Sequence, residues 1–397
     1  MKRCKNCVMP DTKPGVILDD EGICPACRHA EKKTKIDWNA RFNELRDLCE
    51  KYRKNDGSYD CIITVSGGKD STFQIYLLKE ILKMNPLLIN VGNFSWTETG
   101  RQNFNNMGDT FGCDIISLNL NRKVARSMLR KAFKELGSPT WYWDMAVYVF
   151  PIKMAINMKI PLIIYGENVP YEYGGVQEAE TYSAKDQINN DVVINVGGLE
   201  FWLDEDITIQ DLYNTCKYPS QEEIESANLE PIYLSYFVPW DGWDNYEIAK
   251  KYGFKSLDDT GEWDREGFIE NYDQIDAPGY LVHPWLKYPK FGIGRPSEVT
   301  SYWLRGQRTR ENGFENVGWE NIGRITRPEA LKLVEQNDHK LDTYALKDFL
   351  EFTGFSDDEF WEITKKFINP DIWEKIDENT WRLKDKETDQ ILKIPPE

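Results

Sequence analysis

The segment SGGKDS lies between the apolar run YDCIITV and the pattern TFQIYLLKEILK. A glycine-rich turn between a strand and a helix is a common place for phosphate groups, because the amides at the helix start point at the anion. We expect Gly67 and Gly68 to allow close backbone approach and to take positive φ angles. Asp70 would repel a bare phosphate, so we expect it to hold Mg²⁺ against one. The residues assigned to the phosphates are Ser66, Gly67, Gly68, Lys69, Asp70 and Ser71.

Four of the eight cysteines fall near the amino-terminal end, as Cys4, Cys7, Cys24 and Cys27. Two C-x2-C pairs separated by sixteen residues suit one tetrahedral Zn²⁺ held by four thiolates. A closed shell of this kind leaves no position for water, so the pattern predicts a structural zinc site. His29 is an alternative ligand to one of the cysteines. The alternative to a metal site is four unrelated cysteines with reduced thiols.

The elements that must position these residues follow an alternating pattern. Strands are predicted at 59–66, 86–92, 113–120 and 160–166, and helices at 38–54, 70–83, 98–112, 121–137 and 143–159. The order predicts an α/β fold with a parallel sheet and helices on both faces. Ligands bind such sheets at the carboxyl ends of the strands, where 66, 91–93 and 166–168 fall.

The chain divides into four predicted regions. They are a four-cysteine zinc-binding unit at 1–35, the nucleotide-binding α/β domain at 36–200, an aromatic specificity region at 201–325 and a helical carboxyl-terminal region at 326–397. In the last region Ser356 is predicted to cap a helix, with Glu359 completing a capping box. The helix at 121–137 carries Arg122, Arg126 and Arg130 on one face, which we expect to face solvent or, alternatively, a partner or a phosphate.

SGGKDS resembles the S-G-G-x-D-S loop of the PP-loop ATP pyrophosphatase superfamily. The resemblance implies a HUP-type, Rossmann-like domain that cleaves ATP between its α- and β-phosphates, with Lys69, Asp70 and Glu167 as catalytic residues. It also implies that the adenosine lies beside the loop after the second predicted strand, and the metal beside the loop after the fourth. The additional nucleotide-binding candidates are Val91, Gly92, Asn93 and Gly166. A solvated loop acid is the alternative for Glu167.

Longer segments resemble the N-acetyl sugar amidotransferase family, over most of the chain and in order. They are RCKNCVMPDTKPGVILDDEGICPACR, ENVPYEYGG, KFGIGRPSE and FLEFTGFSDDEFWEI. The resemblance implies ATP-dependent conversion of a sugar N-acetyl group to an acetamidino group, on a nucleotide-linked diacetamido sugar or a nonulosonic acid. The substrate-binding candidates come from segments that match this family. For each of them the alternative is an exposed residue in a solvated charged loop. They are Glu172, Tyr173, Lys287, Lys290, Arg295 and Arg308, with Arg305 and Arg310 in the same basic cluster.

Ammonia for such a reaction usually comes from glutamine, and a glutaminase site needs an activated cysteine beside a histidine. The only histidines are His29, His283 and His339, and no remaining cysteine lies in a glycine-flanked nucleophile turn. The sequence therefore predicts a separate glutaminase partner. By resemblance it is of the histidine-biosynthesis type, with or without a cyclase-like ammonia-channel subunit.

The formal net charge of −17 is opposite to that of most nucleic-acid-binding proteins, so we expect no nucleic-acid partner. There is no apolar run of bilayer length and no signal-peptide stretch, so we expect a cytoplasmic protein without a membrane partner. Two rival functions are a tRNA-thiolating PP-loop enzyme and a nucleotide-binding subunit without its own activity. The first needs a sulfur-handling cysteine pair near the active site.

Overall fold

The computed structural model describes residues 1–173, 180–185, 194–311, 313–314 and 316–395. Its strands are β1 (Cys61–Thr64), β2 (Pro86–Val91), β3 (Ile115–Leu118), β4 (Leu162–Tyr165), β5 (Glu230–Tyr233), β6 (Gln307–Glu311), β7 (Asn316–Glu320), β8 (Trp373–Lys375), β9 (Thr380–Leu383) and β10 (Ile391–Lys393). Gly174 and Gly175, which end the segment ENVPYEYGG, lie outside the described residues.

The helices are numbered in chain order. They are α1 (Pro25–Lys33), α2 (Trp38–Tyr52), α3 (Lys69–Ile75), α4 (Glu98–Phe111), α5 (Arg122–Leu136), α6 (Trp141–Met158), α7 (Val169–Tyr173), α8 (Ile209–Tyr213), α9 (Gln221–Ser226), α10 (Leu234–Phe237), α11 (Gly242–Lys251), α12 (Leu257–Thr260), α13 (Val282–Trp285), α14 (Lys287–Phe291), α15 (Arg295–Arg305), α16 (Arg327–Asn337), α17 (Thr343–Thr353) and α18 (Asp357–Lys365). A π-helical turn, Tyr76–Ile81, continues α3, and 3₁₀ turns form at Leu199–Trp202 and Pro278–Leu281.

The central sheet has the strand order β3-β2-β1-β4-β5, and all of its pairings are parallel. This order confirms the predicted Rossmann-like α/β fold. The chain builds outward from β1 in one direction and then returns to start β4 on its other side, so the topological switch point lies between β1 and β4. The loops after these two strands, which carry SGGKDS and Glu167, are therefore neighbours.

Both faces of the sheet are covered. Ile63, Leu88 and Ile164 pack on one face against α2, α3 and α4, where Phe42, Phe73 and Met107 are buried. On the other face, a second set of sheet residues packs against α6. Its members are Ile62, Leu87 and Ile163 from the strands and Ile152 and Ala155 from the helix. A sheet buried on both faces explains why its strands are continuously apolar.

The carboxyl-terminal region is helical through α18, and Ser356 and Glu359 form the predicted capping box. After α18 the chain forms a three-stranded antiparallel sheet, β10-β9-β8, which the sequence did not predict. No helix in the described part of the chain combines the length and apolarity that crossing a bilayer requires.

The arginines on one face of α5 bind backbone carbonyls elsewhere in the chain, which corrects the sequence interpretation. Arg126 Nε donates to the Phe352 carbonyl at 2.6 Å and Arg130 Nη1 donates to the Thr353 carbonyl at 2.9 Å. Arg122 donates to the Phe94 carbonyl at 2.8 Å. The face is thus not free in solvent, because cations satisfy the carbonyls left unpaired at the carboxyl end of α17.

Candidate functional site

The glycine loop connects β1 directly to α3. Gly67 has φ +103°, and a Cβ there would lie 3.3 Å from the Phe104 side chain, so the position requires glycine. Gly68 is instead the extended N-cap residue of α3, with φ −79°. The expectation of a positive φ at Gly68 was therefore wrong, because one left-handed residue is enough to turn the chain into the helix.

Hydroxyl groups hold the loop closed. The Ser66 amide donates to Ser71 Oγ at 2.9 Å, and the Gly68 amide donates to Ser66 Oγ at 3.3 Å. Ser71 lies in the first turn of α3, so its hydroxyl ties the strand end to the helix start. This arrangement pre-forms the backbone turn that the phosphates would meet.

A large pocket opens beside the start of α3. Its charged lining residues are Lys33, Lys69, Asp70, Glu172, Asp241, Glu270, Asp273, Arg295, Arg305 and Arg324. Aromatic residues form the remaining walls, namely Tyr173, Trp240, Trp243, Tyr272, Tyr302, Trp303 and Trp319. Aromatic walls with a few convergent charges are typical of a site for a small polar molecule.

Lys69 is buried between two carboxylates. Its Nζ lies 2.7 Å from Asp70 Oδ2 and 3.0 Å from Asp273 Oδ1. Burial alone would lower the pKa of Lys69, but Asp273 and Asp70 outweigh burial and raise it, so the side chain stays charged. Arg295 Nη2 lies 2.5 Å from the second oxygen of Asp273, which therefore bridges the two cations.

Asp70 is held from the opposite side by α11. Asn245 Nδ2 donates to Asp70 Oδ1 at 2.8 Å, and Arg308 Nη2 donates to Asn245 Oδ1 at 2.8 Å. Arg308 also pairs with Asp244 and donates to the Pro239 carbonyl at 3.0 Å. Arg308 therefore acts on Asp70 through Asn245, and its guanidinium is fully engaged inside the protein.

Glu167 follows β4 and lies next to Tyr173, whose hydroxyl donates to Glu167 Oε1 at 3.1 Å. Burial, and then the negative charge of Asp70, raise the pKa of Glu167 to about 7 from its ordinary value of 4.5. Two acids that repel each other beside an anion-binding loop are suited to share a cation. Within the described residues, however, no three carboxylates form a metal cluster there, so Mg²⁺ would rely on phosphate oxygens for further ligands.

Because the pKa of Glu167 is raised in the folded state, we expect the free energy of unfolding to depend on pH. Between about pH 4.5 and 7 the folded state holds a proton that the unfolded state has lost, so stability falls as pH rises through this window. Glu167→Gln removes this titration, so we expect its urea midpoint, relative to wild type, to be higher at about pH 8 than at about pH 5. Glu205→Gln, at an exposed acid, is the matched control; equal pH profiles for wild type and Glu167→Gln would contradict the prediction.

The four amino-terminal cysteines meet as the sequence predicts. Their sulfurs all lie within 4.8 Å of one another and all four residues are buried. Cys4 and Cys27 are 3.8 Å apart and Cys7 and Cys24 are 3.7 Å apart, between sulfurs. A tetrahedron with metal–sulfur bonds of about 2.3 Å has sulfur–sulfur edges of about 3.8 Å. The cluster therefore fits one metal ion, and His29 is not part of it.

The cysteine unit also forms one wall of the large pocket. Helix α1 starts directly after Cys24 and brings His29, Ala30 and Lys33 to the pocket. Lys33 Nζ lies 2.6 Å from Glu172 Oε2. Arg305 Nη1 donates to the Glu172 carbonyl at 2.7 Å while its Nη2 lies 3.8 Å from Cys7 Sγ.

Of the predicted substrate residues, the structure brings Glu172, Tyr173 and Arg295 to the pocket. The other three, Lys287, Lys290 and Arg308, do not line it. Lys290 donates to the Leu136 and Gly137 carbonyls at 3.1 and 3.2 Å, where it caps α5, and Lys287 pairs with Glu298 at 2.9 Å. For these two, as for Arg308, a substrate role stays a prediction that their contacts do not support.

The adenosine candidates lie at the end of β2, on the same sheet edge as Ser66. The Gly92 carbonyl accepts a hydrogen bond from Trp143 Nε1 at 2.9 Å, and Asn93 Nδ2 donates to the Asp276 carboxylate. Gly166, after β4, has no room for a side chain, because a Cβ would lie 2.9 Å from Trp240. Val91 is the buried last residue of the strand. Their contact with a nucleotide stays a prediction.

Sequence reasoning missed several pocket residues. Glu270 and Asp273 come from an irregular stretch without periodicity or motif, and Lys33 lies in the charged stretch HAEKKTK, which carries no motif. Only tertiary packing brings them together, so no local signal in the sequence marks them.

Comparisons with known proteins support the sugar-modifying interpretation. Residues 321–386, which span α16 to β9, match the family described as LPS biosynthesis protein WbpG-like, C-terminal domain. This match supports the resemblance to the N-acetyl sugar amidotransferase family. With the SGGKDS loop and the parallel sheet, it also supports a PP-loop ATP-pyrophosphatase-like enzyme.

Two further similarities are more distant. Uncharacterized protein MJ1599 of Methanocaldococcus jannaschii is 25% identical over 177 residues, which are 44% of this chain and 62% of that protein. The chain thus spans 62% of the length of this curated relative. The U34-tRNA thiolase NcsA from Methanococcus maripaludis, solved with its 4Fe–4S cluster, is 15% identical, with 64% of this chain and 74% of that chain covered. Its TM-score of 0.29 is too low to carry an argument.

Proposed function

We propose that this chain is an ATP-dependent amidotransferase that converts an N-acetyl group of a bacterial sugar to an acetamidino group. The observation that carries the proposal is the large pocket, in which Lys69 and Asp70 of the PP-loop face an aromatic, charged wall suited to a sugar. The match of residues 321–386 to a WbpG-like LPS biosynthesis domain supports the substrate class.

In the proposed reaction the acetamido oxygen attacks the α-phosphorus of ATP. The O–P bond forms, the bond to the bridging oxygen of the β-phosphate breaks, and pyrophosphate leaves with its electron pair. Ammonia then adds to the acetamido carbon, the C–O bond breaks, and AMP departs with the former carbonyl oxygen. The sugar retains an amidine. Activation is required because an amide oxygen is a very poor leaving group, whereas AMP is a good one.

The residues of the chain divide this work. The loop from Ser66 to Ser71 holds the departing pyrophosphate with backbone amides, and the charge of Lys69 stabilises it. Asp70 and Glu167 would hold Mg²⁺, which neutralises phosphate charge when bound. Arg295, Glu172 and the aromatic walls would orient the sugar, so that its acetamido oxygen faces the α-phosphorus.

Ammonia is proposed to come from a separate glutaminase of the histidine-biosynthesis type, with or without a cyclase-like channel subunit. Outside the metal cluster the described cysteines are Cys49, Cys61, Cys113 and Cys216. Burial raises the pKa of each of these thiols, to about 12 for Cys49 and Cys216. A nucleophilic cysteine needs the opposite shift, so these thiols do not suit glutamine hydrolysis or sulfur transfer to tRNA.

The test is a release assay on the purified chain with ATP, Mg²⁺, an ammonium salt at alkaline pH and a panel of diacetamido sugars. We expect AMP and pyrophosphate to appear only with the correct sugar, and the product to be one mass unit lighter than that sugar, since NH replaces O. Release of ADP and phosphate would contradict the proposed chemistry. AMP release that depends on tRNA and a sulfur donor would instead support the thiolation alternative.

A further inference from the structure

A second, much smaller pocket shares a lining residue, His29, with the large one. Its lining includes Arg41 of α2, Asn168 and Tyr171 of the segment after β4, and Thr181. His29 lines both pockets. His29 is therefore where the large pocket adjoins a small one, whose lining includes the exposed residue Thr181.

Residues that line the two pockets carry buried polar atoms without a hydrogen-bond partner. They are Asn168 Oδ1 from the small pocket, His29 Nδ1 from the residue that both pockets share, and Glu172 Oε1 from the large pocket. Asn168 is 4% exposed and Glu172 is 9% exposed. Leaving buried polar atoms unpaired is costly, so a series of them indicates a bound or passing donor.

The dimensions limit what that donor can be. The small pocket has room for about one molecule of the size of water, and is far too small for a sugar or nucleotide. His29 Nε2 and Glu172 Oε1 are 3.9 Å apart, too far for a direct hydrogen bond and close enough for one small molecule to contact both. Ammonia has this size and donates N–H groups to such acceptors.

We propose that ammonia enters through the small pocket and passes His29 to reach the reacting carbon in the large pocket. The inference rests on the proposed amidotransferase function. In that reaction the sugar meets the reacting end of ATP at Lys69 and Asp70 in the large pocket, so the second nucleophile needs a separate entrance. Its mouth is rimmed by Thr181 and by the ion pair of Arg41 with Glu180, and an ammonia-delivering partner would dock over these residues.

The experiment compares two obstructing variants with a matched control. Tyr171→Trp enlarges the ring that packs edge-on against His29 in the small pocket, and Thr181→Trp places a large side chain at the exposed mouth. Thr110→Trp makes the same exchange at an exposed position of α4, next to the opposite edge of the sheet. Two quantities are measured with the sugar identified by the release assay: the KM for ammonia, supplied as ammonium chloride, and sugar-dependent ATP–pyrophosphate exchange without ammonia.

We expect both obstructing variants to raise the KM for ammonia by about tenfold while exchange stays within about twofold of wild type. Thr110→Trp should change neither quantity. An unchanged KM in both variants, with exchange intact, would overturn the passage and leave the amidotransferase proposal standing. Parallel loss of exchange and ammonia use would show a structural role and overturn the passage too. No sugar-dependent exchange in wild type would overturn the proposed function itself.

Discussion

Asp70→Asn is expected to lower the rate of sugar-dependent AMP and pyrophosphate release by about 100-fold or more, the size typical for loss of one transition-state-stabilising group. Asparagine keeps the shape of the side chain and can still accept the 2.8 Å hydrogen bond from Asn245. What it loses is the negative charge at the start of α3. Because Lys69 retains its contact with Asp273, the loop should keep its structure.

The measurement is the initial rate at saturating ATP and sugar over a range of Mg²⁺ concentrations. A metal-binding role predicts that Asp70→Asn also raises the Mg²⁺ concentration needed for half-maximal rate. Asp109→Asn, an exposed acid on α4, is the control and should leave both quantities unchanged. A rate for Asp70→Asn within about threefold of wild type would exclude a direct part for this carboxylate in catalysis.

The parts of the fold that the sequence predicts are those with local signals. The continuous apolar runs of β1, β2 and β4 and the caps of the helices between them place SGGKDS and Glu167 at strand ends. The fifth strand was missed because its four residues include Glu230 and Pro231 and so form no continuous apolar run, unlike β1 and β4 of the same length. Proline is tolerated there since β5 is at the edge of the sheet.

Most of the contacts within the large pocket could not be predicted from local sequence signals. A motif can identify Lys69 and Asp70, because the turn that holds them is encoded within six residues. The partners that fix their charges are Asp273, Arg295 and Asn245, which lie about 170 to 230 positions away along the chain. Similarly, the i, i+4 spacing of the arginines of α5 defines a face but does not show that α17 covers it with carbonyls.

Replacement of a cluster cysteine should have the largest effect on stability. We expect Cys24→Ser to lose the bound metal and to lower the melting temperature by about 10 °C or more, since structural zinc contributes many kcal/mol of binding free energy to folding. Cys24 is a suitable choice because it is the N-cap residue of α1 and its sulfur lies 3.7 Å from Cys7 Sγ within the cluster. Metal analysis of the purified proteins should give one zinc per wild-type chain. Cys113→Ser, at the one partly exposed cysteine among the described residues, is the control.

The same variant should also reduce sugar-dependent turnover, because a metal bound by the four cysteines would hold α1 against the large pocket. Loss of the cluster frees the start of α1 and with it Lys33, which pairs with Glu172 at 2.6 Å. Arg305, which contacts both Cys7 and the Glu172 carbonyl, would lose one of its anchors. Unaltered turnover in a metal-free Cys24→Ser protein would contradict this coupling, and a brown, iron-containing wild-type protein would contradict zinc. If stability and turnover fall together while ATP still binds, the cysteine unit shapes the sugar side of the pocket and leaves the PP-loop intact.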